Sequence, residues 1–311
     1  MNFNYIDYVL CQKHKFYAYL HARRVITNLN EVLFFLTGLS KMVEIRLKDG
    51  QKVTIRNKVE FDKFLISPNF REQFLKNAGV DISKVNSSKI MLRFQDNLKL
   101  SFYYRTKKEY VNVLYTMYDL FVLNAYAQPN IKGKDVLDIG ANIGDSAIYF
   151  ATKGAKHVYA FEPYPHTFAM AKKNVELNKL EDKITLFNEA IEKSNNKIIL
   201  TTKRIHTGGL PIKNFKHGKS VKVNDLNRIT KKLGLKNAIL KIDTEGGEYN
   251  TIIYTPDSVL RRFSEIIMEY HYGYKNLEKR LLKAGFRVHH SIPDIHGNIV
   301  SGIIYARRVD S

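Results

Sequence analysis

Three groups of residues have the types and spacing to do chemistry. The first is the run Asp138-Ile-Gly140-Ala-Asn142-Ile-Gly144-Asp-Ser146. Its glycines permit a tight turn and a close approach of backbone to a ligand. It departs from the dinucleotide fingerprint G-x-G-x-x-G, because Asn142 stands where the second glycine belongs. A carboxylate at Asp138, ahead of the first glycine, disfavours a pyrophosphate and suits a ligand carrying a positive ammonium or sulfonium group. The second group is Phe161-Glu162-Pro163. A carboxylate at the end of a second strand can accept both hydroxyls of a ribose. An acidic glycine loop with a ribose acid describes a nucleoside that carries a cation and no phosphate, which is S-adenosylmethionine.

The third group lies further along, in Lys241-Ile-Asp243-Thr-Glu245-Gly-Gly-Glu248 and Glu269-Tyr-His271. Methyl transfer to a hydroxyl needs help in removing the acceptor's proton. His271 is the strongest general-base candidate by its ordinary pKa. Asp243 is the expected catalytic or substrate-orienting carboxylate, with Glu245 and Glu269 beside it. Glu245 and Glu248 have a second reading, as acids at a helix N-terminus. A divalent cation held by Asp243, Glu269 and His271 is a variant of this reading. The reading without a metal is preferred. The segment Arg204-Ile-His206-Thr-Gly208-Gly209 reads as a substrate loop.

These residues are useful only if elements bring them to one edge. From about residue 131 the pattern alternates strand and helix: strands over 134–140, 157–162, 183–188, 196–200, 238–243 and 265–271. Helices are expected over 144–153, 165–178, 225–234, 247–254 and 275–284. Two late segments, from 286 and over 299–308, form a final antiparallel pair. Such alternation predicts a doubly wound α/β sheet, with ligands beyond the carboxyl ends of its strands. Residues 1–110 read differently. A helical start is followed by a hairpin with a type I′ turn at Asp49-Gly50. Then come a helical stretch over 58–79, a second hairpin around Asp96-Asn97 and a helix over 108–127. This N-terminal region is a smaller α+β unit without an assignable motif, and the second domain runs over 111–311.

The ordered motifs VLDIGANIGDSAIYF, YAFEPYP, NVELN, LKIDTEGGEYN and IIMEYH resemble the FkbM family of S-adenosylmethionine-dependent methyltransferases. The resemblance covers roughly residues 115–290. It implies a Rossmann-like methyltransferase fold: a doubly wound, mostly parallel seven-stranded sheet with one antiparallel strand. It also implies O-methylation of a hydroxyl on a sugar or a polyketide-type natural product, and the expected acceptor is a sugar, glycan or glycolipid. In the family pattern Asp138, Gly140, Asn142, Gly144 and Ser146 surround the methionine end of the cofactor. Glu162 and Pro163 lie at the ribose, and Glu189 and Ala190 near the adenine.

Composition bounds the rest. The chain has 311 residues, 50 Lys+Arg against 30 Asp+Glu, and a net charge of +20. That excess suits an anionic carrier, a membrane surface or a nucleic acid. A nucleic-acid methyltransferase is the alternative function, and a non-catalytic cofactor-binding module is a third. The Asn/Asp-Pro-Pro-aromatic motif of amino-methylating enzymes is absent after the fourth strand, and the candidate site is locally acidic. A glycan or small-molecule acceptor, lipid-linked or free, is therefore preferred over nucleic acid. One cysteine, Cys11, excludes an internal disulfide. No apolar run approaches the ~20 residues that span a bilayer. The start lacks the pattern of a secretory signal. The expectation is a cytoplasmic protein, with peripheral membrane contact allowed.

Overall fold

The computed structural model describes residues 23, 25–65, 67–193, 197–200, 216–296 and 299–309. The predicted substrate loop around Arg204 and His206 lies outside them, as does most of the helical start. The chain divides into two compact units, one ending at Ala125 and the other taking up the chain from Tyr126.

The first unit is α+β. It contains α1 (Leu29–Leu36), β1 (Val43–Arg46), β2 (Lys52–Ile55), α2 (Lys58–Leu65) and α3 (Pro68–Asn77). A three-stranded antiparallel sheet follows, β3 (Asp81–Asn86), β4 (Lys89–Arg93) and β5 (Lys99–Tyr103). α4 (Lys107–Met117) closes the unit and ends in a π turn, Tyr118–Val122. The helical stretch over 58–79 is two helices because Ser67 caps α3 and Pro68 occupies its first turn.

Both hairpins form, but the Asp-Gly turn is not type I′. Only Gly50 of the pair has positive φ, at +88°. The Gly50 N–H donates to the Leu47 carbonyl at 3.0 Å. Asp49 therefore sits inside a type I turn, and Gly50 is the left-handed residue that follows it. The Asp49 side chain holds this form by accepting the Gln51 N–H at 3.0 Å.

The second unit follows the alternation read from sequence. Its elements begin β6 (Asp135–Ile139), α5 (Asp145–Thr152), β7 (His157–Phe161), α6 (Pro165–Leu177), β8 (Ile184–Phe187). Next come β9 (Glu189–Ile191), β10 (Lys197–Leu200), β11 (Lys219–Asn224), α7 (Leu226–Lys232) and β12 (Ala238–Ile242). The chain continues through α8 (Glu248–Ile253), α9 (Asp257–Leu260), β13 (Phe263–Tyr270) and α10 (Lys275–Lys283). It finishes with β14 (Phe286–His290), β15 (Asp294–His296) and β16 (Ile299–Arg308).

Seven strands form the main sheet in the order β14-β16-β13-β12-β6-β7-β8. β8, β7, β6, β12 and β13 are parallel. β16 runs antiparallel between β13 and β14. This is the expected doubly wound, mostly parallel seven-strand order with one antiparallel strand. Every residue of β12 is buried, as a central parallel strand covered on both faces requires. A small second sheet, β10-β11-β9, was not expected. The chain turns at Asn188, and β9 leaves the main sheet to pair in parallel with β11. β11 itself carries alternating Lys and Val.

Candidate active site

The strand order reverses between β6 and β12, and the carboxyl ends of β6, β7 and β12 open onto one cavity. Its walls include Gly140, Asn142, Glu162, Pro163, Glu189, Ala190, Asp243 and Glu245. Eight of the thirteen residues expected at the site therefore line a single cavity. Ile139, Phe161, Tyr164, Ile191 and Thr244 complete it.

The glycine loop after β6 is pinned from three sides. The N–H groups of Gly140 and Ala141 both donate to the Phe161 carbonyl, at 2.9 and 3.0 Å. The buried Asn174 on α6 donates its amide to the Ile143 carbonyl at 2.8 Å. Gly140 has φ +80°, and a Cβ there would lie 1.8 Å from the Asp243 carbonyl oxygen. Only glycine lets the loop lie so close to the end of β12. Asn142 also adopts positive φ, at +48°.

Glu162 is 6 % exposed, and its carboxylate spans the cavity floor. One oxygen accepts the Asn142 N–H at 3.0 Å, and the other accepts the Tyr164 N–H at 2.9 Å. Burial pushes this carboxyl up to about 8, against the pull of those two N–H donors and of Lys241. Each oxygen has a second lone pair beyond the one that accepts an N–H. At the far wall Asn188 donates to the carbonyls of Glu162 and Pro163, at 3.0 and 2.9 Å. Asn224, fully buried at the end of β11, donates to Glu189.

Asp138 departs from expectation. It is fully buried and is not part of the cavity wall. Its carboxylate accepts the Ser146 hydroxyl at 2.7 Å and lies 3.1 Å from the Lys241 ammonium. Lys241 is 2 % exposed, is the register partner of Asp138 on the neighbouring strand, and donates to the Gly140 carbonyl at 2.7 Å. The cation that answers Asp138 is thus the protein's own. Asp138 and Ser146 are bonded to each other outside the cavity lining, and Gly144 lies against Ala171 of α6.

The acidic group forms at the ends of β12 and β13. Asp243 and Glu245 line the cavity. Burial raises the Asp243 carboxyl, opposed by Lys241. Glu245 holds positive φ, at +56°. His271 is 9 % exposed and is enclosed by carboxylates. Its Nδ1 lies 2.9 Å from Glu248, its Nε2 3.1 Å from Glu245 and 4.0 Å from Glu269. Desolvation lowers its pKa, but the hydrogen bonds to Glu245 and Glu248 prevail and push it up to about 11. Both ring nitrogens of His271 are thus engaged by carboxylates, an arrangement that favours the protonated ring over a free general base.

The sequence reading underrated Glu248. It is fully buried and accepts the Gly246 N–H, the Thr244 hydroxyl, and both the backbone N–H and Nδ1 of His271. Lys241 was also read only as part of a charged run. A signal was present: a lysine inside the otherwise apolar strand AILKI needs a buried acid on an adjacent strand, and Asp138 is the acid within β6's apolar run VLDI.

The donor set fits S-adenosylmethionine. Glu162 has the spare lone pairs for a ribose diol. The side-chain oxygen of Asn142 is buried at the cavity without a hydrogen-bond partner. Such an orphaned acceptor suits an ammonium or hydroxyl donor on a ligand.

A 65-residue stretch is 40 % identical to the ribosomal protein L11 methyltransferase of Carboxydothermus hydrogenoformans, covering 21 % of each chain. A 49-residue stretch is 47 % identical to the tRNA (guanine(37)-N(1))-methyltransferase Trm5b of Methanocaldococcus jannaschii, covering 16 % of this chain and 14 % of that one. The matches thus span about a fifth of these relatives' length or less. Among solved structures, TrmK of M. capricolum in complex with S-adenosyl-homocysteine superposes with a TM-score of 0.40 at 16 % identity, over 60 % of this chain and 68 % of that one. Residues 138–288 match the sequence profile of the methyltransferase FkbM domain.

Proposed function

We propose that the protein transfers a methyl group from S-adenosylmethionine to a hydroxyl on a sugar, glycan or glycolipid. The observation that carries this reading is the single cavity whose lining brings together Glu162, Asn142, Asp243 and Glu245. Glu162 and Asn142 would hold the ribose and the polar end of the cofactor, with Glu189 and Ala190 at the adenine. When bound, S-adenosylmethionine supplies an electrophilic methyl on a positively charged sulfur. The chain's own part is orientation and proton removal. A hydroxyl oxygen attacks poorly while it keeps its proton. Asp243 is a carboxylate at the cavity wall whose raised pKa strengthens it as an acceptor of that proton. His271 is a positioning residue that fixes Glu245. A locally acidic wall supports a neutral, hydroxyl-rich acceptor over a phosphodiester.

Incubating the purified full chain with methyl-labelled cofactor and fractionated glycans, lipids and RNA tests the reading. Label is expected in a glycan or lipid fraction. Incorporation into RNA alone would overturn the acceptor class. Glu162→Ala is expected to abolish cofactor binding in calorimetry, and unchanged affinity would remove Glu162 from the ribose.

A further inference from the structure

The acidic wall has more structure than a proton acceptor needs. A carboxylate oxygen of Asp243, one of Glu245 and a ring nitrogen of His271 all lie within 4.8 Å of one another. Two ligands set side by side on an octahedral ion, each about 2.1 Å from it, are themselves about 3 Å apart. The gap of 3.1 Å between Glu245 and His271 Nε2 matches that spacing. The ring is also oriented as a metal ligand's ring is oriented. Its Nδ1 is engaged by Glu248, a carboxylate with no solvent exposure and two further donors from the β12–α8 loop. That leaves Nε2 turned to Glu245 at 3.1 Å, with Glu269 at 4.0 Å. A carboxylate behind a histidine is the common outer support of a metal-bound imidazole.

We infer that Asp243, Glu245 and His271 Nε2 form a divalent-cation site at the cavity wall, with Glu248 orienting the imidazole from behind. Two carboxylates and one imidazole suit Mn²⁺, with Mg²⁺ the weaker occupant. Coordination replaces the hydrogen bond between Nε2 and Glu245, and the displaced proton leaves to solvent. Three protein ligands leave octahedral positions open toward the cavity. A hydroxyl of the acceptor taking one of them would be oriented and acidified together. That use rests on the methyl-transfer reading, whereas the site itself does not.

The test uses the full chain, stripped with a chelator and titrated with Mn²⁺ alone. Electron paramagnetic resonance is expected to show one bound ion per chain, with spin-echo modulation from a coordinated nitrogen. Asp243→Asn should abolish saturable binding. His271→Gln should remove the nitrogen modulation. Glu248→Gln should weaken binding about 10–100-fold. Affinity for S-adenosylmethionine, measured on the same samples, shows that each variant is folded. Absence of saturable Mn²⁺ binding overturns the site. Binding that survives Asp243→Asn unchanged, or that never shows nitrogen coupling, overturns it too, and leaves an imidazolium clasped by carboxylates. If S-adenosylmethionine binds and Mn²⁺ does not, the cation site alone fails. If Mn²⁺ binds and S-adenosylmethionine does not, the methyl-transfer reading alone fails.

Discussion

Between Glu245 and Glu248 the imidazole of His271 has a carboxylate at each ring nitrogen. Its pKa in the fold is about 11 against an ordinary 6.5. A group raised in this way stabilises the fold fully below pH 6.5 and loses that contribution as pH climbs toward 11. In chelator-treated protein, the gap in unfolding midpoint between wild type and His271→Gln is expected to be widest near pH 6. It should narrow steadily by pH 10, and scanning calorimetry across that range checks it. Glu162 behaves differently because its task needs the ionised form. With its carboxyl near 8, affinity for S-adenosylmethionine should rise as pH passes from 7 to 9. Glu162→Gln should bind weakly and show a flat profile, which calorimetry at several pH values resolves.

At the scale of elements, two central strands are joined by one buried ion pair. Lys241 on β12 lies 3.1 Å from Asp138 on β6 and also holds the Gly140 carbonyl. Removing one partner leaves a buried charge unanswered, at a cost of about 3–5 kcal/mol. Lys241→Met is expected to show that loss in denaturant unfolding, while Lys241→Met combined with Asp138→Leu should recover much of it. The close crossing at Gly140 is more severe. Gly140→Ala combines a left-handed backbone, costing about 1–3 kcal/mol, with a clash against backbone. It should lower the melting temperature and loosen cofactor binding together. These elements were legible because their local signals agree. VLDIG and AILKID are short apolar runs closed by turn residues, and Gly234 and Gly285 end helices where expected. What remained hidden was pairing across strands. A lysine within AILKI signals a buried acid nearby, but the sequence does not fix that β12 lies beside β6 with Lys241 level with Asp138, or that His271 falls between two glutamates. Both facts depend on register and on the path of the β12–α8 loop. The small β10-β11-β9 sheet was hidden for a similar reason, since three-residue β9 carries too few positions for a period to emerge.

For the whole molecule, the net charge of +20 has to be weighed against a cavity rich in acids. Charge of that size binds polyanions without selecting them, and such binding falls steeply with salt. RNA is expected to bind at low ionic strength and to be released by about 0.2 M salt, with no methyl incorporation. Filter binding across a salt series, with label counted on the same filters, checks both parts. No described helix is long and apolar enough to cross a membrane. An anionic carrier or membrane surface that presents a neutral sugar would use the basic exterior and the acidic cavity together.

The crossing of Gly140 with the backbone of Asp243 has a consequence for how such a protein can diversify. No space exists there for even one added carbon. The cofactor loop and the carboxylate wall are therefore one piece, and a lineage cannot shift one without displacing the other. Descendants that take new acceptors would be expected to keep this junction unaltered and to change the segments around the cavity's rim. Substitutions among related chains should accordingly accumulate away from position 140, because a side chain there meets backbone that no exchange at 243 removes.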